Sequence, residues 1–295
     1  MSEEFEFIDE EGADQPGDEW ESIDVTETDA DRIASRQDRE FDEFRKLIKN
    51  REGFKVEASV FDDATFAALY KLVQDGYISA LGGPISTGKE ANVYVALAGE
   101  LARSIVEDEE VALKVYRISA SAFRQMRDYL EGDPRFTDIR GDKKEVVLAW
   151  TRKEYANLER AQKAGVRVPR PIAVERNALV MELIGEEVDR ARRLDEVEIN
   201  NPQTAFEVVR EYMRRLYTAG LVHGDLSQFN ILIHEGELVI IDVGQAVTVH
   251  HPNAEEFLRR DCENVGNFFT RQGYEVDVEE LYTFVVGDAP ASPKS

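Results

Sequence analysis

The 295 residues suffice for one large domain or two lobes sharing a cleft, and a 42% hydrophobic content can supply a core. With 60 acidic against 36 basic residues, the net charge of −24 argues against generic attraction to DNA or other phosphate backbones. The single cysteine, Cys262, excludes an internal disulfide and a cysteine-based zinc site, and the four histidines lack the HExxH spacing of a helical zinc protease.

Residues 1–30 hold thirteen of the acidic residues and none of the basic ones, so the rest of the chain still carries −11. That segment reads as disordered. Arginine far outnumbers lysine, and the carboxylate excess beyond the tail fits a high-salt cytosol, where repulsion is screened. An ordinary acidic protein is the plainer alternative. No 18-residue apolar run exists, so no membrane segment is expected. The acidic start is the opposite of a signal peptide, and a cytoplasmic location is expected.

A charged helix is predicted over 31–50, with Phe41, Phe44, Leu47 and Ile48 on one face. Folded sequence begins near Val60. Asp62 or Asp63 is placed to cap a helix with Phe66, Leu69, Tyr70 and Val73 as its apolar stripe, closed by Gly76. Strands are predicted over 92–98, 111–116 and 178–184. Between them, 119–142 is long and polar and reads as a surface loop, with Ser119 or Ser121 as candidate phosphorylation sites. A helix is predicted over 144–164, ending at Gly165, and two more over 204–219 and 255–272. A hairpin of 230–233 and 238–242 turns around Glu235-Gly236. Strands first and helices later predict an α+β fold. The expected division is an acidic tail over 1–50, a small sheet lobe over 51–184, a helical lobe over 185–286 and a flexible end over 287–295.

Three constellations carry chemistry. The first is His223-Gly224-Asp225-Leu226-Ser227-Gln228-Phe229-Asn230, followed by Ile240-Ile241-Asp242-Val243-Gly244. A tight loop sets the Asp225 carboxylate beside a phosphoryl acceptor and the Asn230 amide oxygen beside a metal. The hairpin returns Asp242 to that loop, where its carboxylate can ligate magnesium bridging ATP phosphates. Two Asp residues capping turns would be the bland alternative, but it leaves the Asn and its spacing unexplained.

The second is Ser86-Thr87-Gly88-Lys89-Glu90-Ala91-Asn92-Val93. Gly83, Gly88 and Lys89 imitate a Walker loop, yet Glu90 stands where a Ser or Thr should ligate magnesium, and a strand follows instead of a helix. A strand–loop–strand flap over nucleotide phosphates is the expectation, with Ser86, Thr87 and backbone amides as donors. The third is Lys114 inside an apolar strand, where an ammonium must find a partner. Glu154 shares a helix face with Val147, Leu158 and Ala161, and has no basic neighbour three or four residues away. A Lys114–Glu154 pair resolves both; an edge-strand lysine and an exposed glutamate are the alternative. The strand over 178–184 would lead into a hinge, with backbone groups of Glu182 and Ile184 facing adenine and Met181 behind it.

Taken together, these residues resemble the RIO family of atypical serine protein kinases, in the subtype without an N-terminal winged helix, over about 57–285. The flap, His223-Gly224-Asp225-Leu226-Ser227 and Asp242-Val243-Gly244-Gln245-Ala246 are the specific pieces. Tyr129-Leu130-Glu131-Gly132-Asp133-Pro134-Arg135-Phe136 and His251-Pro252 leading into Arg260-Asp261 support them. The resemblance implies a two-lobed kinase-like fold with ATP and Mg2+ as cofactors. It implies phosphate contacts at Ser86, Lys114 as orienting lysine, Asp225 as catalytic base, and Asn230 and Asp242 as magnesium ligands. Asp242 is also a candidate aspartyl-phosphate site. Family members mature the small ribosomal subunit, so the implied partner is the pre-ribosomal small subunit with its rRNA and proteins, and the charge suggests a salt-adapted archaeal source.

The segment after Asp242 is too short for an ordinary activation segment and peptide-docking platform, and Gly224 replaces the Arg of HRD. An aminoglycoside- or choline-kinase-like phosphotransferase is the nearest rival, though the flap and the short helical lobe count against it. A dead nucleotide-binding scaffold is the other, and the full set of polar residues counts against that. Arg190, Arg192 and Arg193 form a small basic cluster that is either a contact surface or a solvated loop.

Overall fold

The computed structural model describes residues 61–117, 126–127, 129–133, 135, 143–186 and 189–287. The acidic tail, the helix expected over 31–50, and Ser119 and Ser121 lie outside the described residues.

Helix α1 (Asp63–Gln74) starts where Asp62 accepts the Thr65 amide at 2.7 Å and ends before Gly76, which has φ 79°. Its Phe66, Leu69 and Leu72 are buried against a five-stranded antiparallel sheet. That sheet contains β1 (Ile78–Thr87), β2 (Ala91–Ala98), β3 (Glu110–Tyr116), β4 (Pro171–Glu175) and β5 (Ala178–Glu182), in the order β1-β2-β3-β5-β4. A short helix α2 (Glu100–Val106) joins β2 to β3. Because β3 is central, with Lys114 opposite Val93 on one side and Leu179 on the other, the edge-strand alternative for this lysine is ruled out.

The β1–β2 turn keeps the flap tight. The Gly88 amide donates to the Ala91 carbonyl at 2.9 Å, and a Cβ at Gly88 would stand 2.9 Å from that oxygen. Helix α3 (Lys143–Lys163) crosses behind the sheet and also contacts the second core. It buries Val147, Trp150, Thr151, Lys153, Glu154, Asn157, Leu158 and Ala161, a wider face than one apolar stripe.

The second lobe begins with the ribbon β6 (Gly185–Glu186) and β7 (Asp189–Arg190), then β8 (Arg192–Arg193). Helix α4 (Pro202–Thr218) follows, capped by Asn201 through the Thr204 amide at 3.0 Å. Strand β9 (Leu221–Val222) leads into the loop 223–230, and β10 (Ile231–His234) pairs with β11 (Glu237–Ile240). Glu235 and Gly236 have φ 51° and 81°, as a tight two-residue hairpin turn requires. Strand β12 (Val247–Thr248) returns to pair with β9, and helices α5 (Ala254–Arg271) and α6 (Val278–Val286) close the lobe. The architecture is the α+β fold expected from strands first and helices later, in the two-lobed kinase-like form that the resemblance implies. Among the described residues no helix is long and apolar enough to cross a membrane.

One expectation fails. Of the described residues in the polar stretch 119–142, Met126 and Leu130 are wholly buried and Asp133 and Arg135 nearly so, which a plain surface excursion would not give. Asp133 accepts from the Arg135 guanidinium at 2.8 Å, so the pair satisfies itself away from water. Strand β5 also ends at Glu182, two residues short of the expected Ile184.

Candidate active site

Lys114 points from the central strand to the base of a cleft of about 570 Å³ between the lobes. Its Nζ donates to Glu154 Oε1 at 2.6 Å and to Asp242 Oδ1 at 2.8 Å. Burial opposes the ammonium, but the charges of Asp242 and Glu154 outweigh it and hold the Lys114 pKa well above the usual lysine value. Glu154 is fully buried, and its second oxygen accepts the Tyr116 hydroxyl, so both oxygens are occupied. Burial pushes its carboxyl up, against the Lys114 ammonium and the Tyr116 hydroxyl.

Asp242 is held below the usual carboxylate range, chiefly by Lys114, while 54% of its side chain remains exposed to the cleft. Its backbone is left-handed, φ 64° and ψ 50°, at the head of the 3₁₀ turn Val243–Gln245. That conformation costs a non-glycine residue about 1–2 kcal/mol and persists only where the surroundings enforce it.

The loop after β9 is fixed through its backbone. His223 is buried with Nε2 3.2 Å from the Ile241 carbonyl, a contact that needs the proton on Nε2. The Gly224 and Leu226 amides donate to the two carboxylate oxygens of Asp261 at 2.8 and 2.7 Å. Arg260 donates to the Gly224 carbonyl and, at 3.2 Å, to the Tyr129 hydroxyl. Asp261 is fully buried, and burial pushes its carboxyl up to about 7 despite the two amides. Burial likewise raises Asp225, with Arg260 opposing and Asp242 adding to the rise.

Asn230 donates its amide nitrogen to the Asp225 carbonyl at 2.8 Å, which leaves the amide oxygen as its acceptor end. The Ile241 amide donates to the Asn230 carbonyl at 3.0 Å, setting Asn230 next to Asp242. A carboxylate and an amide oxygen form a hard donor set that suits magnesium, which binds few protein ligands and completes its shell with phosphate and water. Among the described residues, no group of three or more His, Cys, Asp or Glu forms a fuller metal cage.

The flap lines the cleft with Ser86, Gly88, Lys89 and Glu90, whereas Thr87 does not. Glu90, a misfit to a Walker loop and part of the flap motif, has no role in the sequence reading, yet it faces the site: burial first, then the Asp242 charge, raises its carboxyl. Asp225 stands beside the lining rather than in it, behind Asn230. At the hinge, Met181, Glu182, Leu183 and Ile184 line the cleft with Val93, Ala112, Leu232 and Ile241, an apolar slot for a flat ring. The Glu182 amide already donates to Arg170, and the Ile184 carbonyl already accepts from Ala191 at 2.8 Å. The Glu182 carbonyl and the Ile184 N–H are therefore the groups these residues have to offer. The Glu182 carboxylate is engaged elsewhere, with Arg167 at 2.5 and 2.8 Å.

Lys114, Glu154, Asn230 and Asp242 thus converge with Asp225 close by, and Ser86, Glu182 and Ile184 surround the same cleft. Arg190 and Arg193 do not form a free basic patch, because both pair with Glu196, at 2.6 and 3.1 Å. Sequence reasoning did not reach Tyr116, Lys153 or Asn157. Asp261 and Arg260 stood in a recognised motif, without a role.

The RIO domain model matches residues 92–281. The chain is 68% identical over 288 residues to the RIO-type serine/threonine-protein kinase Rio1 of Haloferax volcanii, covering 98% of this chain and 97% of that one. It is 35% identical to the Rio1 kinase of Methanocaldococcus jannaschii, covering 85% and 84%. Among solved structures, the ADP/Mg2+-phosphoaspartate complex of Rio2 kinase from Chaetomium thermophilum is similar, with TM-score 0.58 and 26% identity over 75% of this chain and 66% of that one. By the domain match and the identity to these kinases, the chain belongs to the RIO family of serine/threonine protein kinases.

Proposed function

We propose that the cleft binds ATP with magnesium and transfers the γ-phosphoryl group to a serine hydroxyl. One observation carries this reading: Lys114 is held between Glu154 and Asp242 at 2.6 and 2.8 Å, beneath the flap that bears Ser86. Lys114 then orients the α- and β-phosphates, with Ser86 and the flap amides over them. The adenine amino group meets the Glu182 carbonyl, and a ring nitrogen meets the Ile184 N–H. Asn230 and Asp242 hold magnesium, which supplies positive charge across the phosphates. The Lys114–Asp242 pair keeps the Asp242 carboxylate ionised for that task.

Asp225 serves as the base. As the acceptor oxygen bonds to the γ-phosphorus, the bond to the β–γ bridging oxygen breaks, ADP departs, and Asp225 takes the hydroxyl proton. A second acceptor is favoured by the exposure of Asp242: its carboxylate oxygen can attack the same phosphorus, giving an acyl phosphate that water later cleaves. The similar Rio2 structure is described as a phosphoaspartate complex. The expected setting is the cytoplasm, with the maturing small ribosomal subunit as partner, a role proposed from the family resemblance.

The test is Asp225→Ala, with phosphoryl transfer measured against ATP affinity by calorimetry. Transfer should fall about 10²–10⁴-fold while affinity is largely kept. Equal turnover in variant and parent would remove Asp225 from its role.

A further inference from the structure

The motif Tyr129-Leu130-Glu131-Gly132-Asp133-Pro134-Arg135-Phe136 has no part in the chemistry above, yet Asp133 and Arg135 are buried beside α3. Arg135 Nη1 donates to Asn157 Oδ1 at 2.7 Å. With its oxygen committed, Asn157 turns its Nδ2 to the Val243 and Ala246 carbonyls, at 2.9 and 3.0 Å. One turn earlier on the same helix face, Lys153 donates from Nζ to the Gly244 carbonyl at 3.0 Å, its cation 4.9 Å from the Trp150 ring centroid. Neither Lys153 nor Asn157 has any exposed surface. Three carbonyls of the turn that follows Asp242 are therefore satisfied by two side chains of α3. That turn is too short to satisfy all its own carbonyls; within it, Val243 accepts from the Ala246 amide at 3.1 Å.

A buried lysine with no carboxylate in direct contact, its pKa lowered by burial to about 7, is a poor choice for stability, since an apolar residue of the same shape would avoid its desolvation. Its contact gives the reason for its placement. Asp242 needs a left-handed backbone, and the polarity of this turn decides whether that backbone holds. We propose that Lys153 and Asn157, with the Asp133–Arg135 pair fixing the Asn157 amide, are positioning residues that set Asp242 for magnesium. The proposal rests on Asp242 being a magnesium ligand. It makes α3 a two-sided device: Glu154 holds the phosphate lysine, and its neighbours on the adjoining face hold the metal loop. The same motif reaches the catalytic loop through Tyr129, whose ring would lie 3.6 Å from a Cβ at Gly224. Tyr129, Asp133 and Arg135, from a stretch that reads as a surface loop, thus back both loops.

Lys153→Met keeps the length of the stem and removes the ammonium. The variant is tested by thermal melting of the nucleotide-free protein and by calorimetric titration of ADP, in EDTA and across a magnesium series. The variant should stay folded, because the desolvation avoided at Lys153 offsets the unpaired Gly244 carbonyl, and ADP affinity in EDTA should be unchanged. The magnesium concentration giving half-maximal enhancement of ADP binding should rise about tenfold, as loss of one hydrogen bond from a charged donor implies. Lys153→Arg should recover part of the loss. An unchanged magnesium midpoint in folded Lys153→Met overturns the proposal, as does an equal loss of affinity with and without magnesium. Should Met at 153 lower the melting temperature, Asn157→Ser decides by the same criteria. Asp242→Ala is the control: if it keeps the parent's magnesium dependence, the ligand assignment falls and this inference with it. If Asp242→Ala abolishes the dependence while Lys153→Met and Asn157→Ser leave it untouched, only the positioning role falls.

Discussion

Asp225 carries a raised carboxyl pKa because it is half-buried and shares its surroundings with the Asp242 charge. A base must be ionised to work, so protonation at this residue removes activity. The acid limb of kcat/KM should therefore lie above the ordinary aspartate range of about 3.9, with activity lost as pH falls through it. Arg260 opposes the rise, so Arg260→Met should move the limb to still higher pH. A limb in the ordinary range, unmoved by the Arg260 change, would contradict this account. At this scale Lys114 and Glu154 were legible in the sequence because each posed a burial problem that the other solved. The Lys114–Asp242 contact was not, since 128 residues separate the pair and the residue-type pattern says nothing of a left-handed turn. Lys153 was invisible for a related reason. Its partner is a backbone carbonyl, and carbonyls leave no mark in a sequence.

Among the elements, α1 and α3 lay close to their predicted bounds, as did the hairpin β10–β11. Each is punctuated locally: Asp62 before α1, Gly165 after α3, Glu235-Gly236 within the hairpin. Strand β1 carries no such signal. It runs through Gly82-Gly83-Pro84, residues that favour turns, and its pairing with β2 shifts register on both sides of Pro84. Pairing to a well-formed neighbour overrides that local preference. Burial of Asp133 and Arg135 was unreadable because it depends on the two neutralising each other. The flap offers an element-scale test. Gly88→Ala must push the Ala91 carbonyl away from 2.9 Å, and Ala91 is backbone in a paired strand. Opening the turn by overpacking worth about 1 kcal/mol corresponds to an ATP KM raised about fivefold. Turnover at saturating ATP should change little, because the flap contacts ground state and transition state alike. Steady-state kinetics decide it, and a change confined to kcat would assign the flap a different part.

The whole molecule carries two opposed electrostatic systems. The buried pairs, Lys114 with Glu154 and Arg135 with Asp133, lie where added salt reaches them least. The surface holds an excess of carboxylates, and its cations are largely spent in local pairs such as Arg214–Glu211 and Arg259–Glu255. Salt weakens those exposed pairs, each worth about 0.2–1 kcal/mol at most. It also screens the self-repulsion of a chain at −24, a term that involves every carboxylate at once. The Debye length falls from about 10 Å at 0.1 M to about 3 Å at 1 M, which is shorter than the spacing of most surface charges. Screening of net repulsion should therefore win, and the melting temperature should rise by several degrees from dilute buffer to molar KCl. Thermal melts across a KCl series, repeated with residues 1–50 removed, separate tail from surface: the rise should persist without the tail, because a net charge of −12 remains beyond residue 50. A melting temperature that stays flat or falls would mean that the acidic surface is not what salt acts upon.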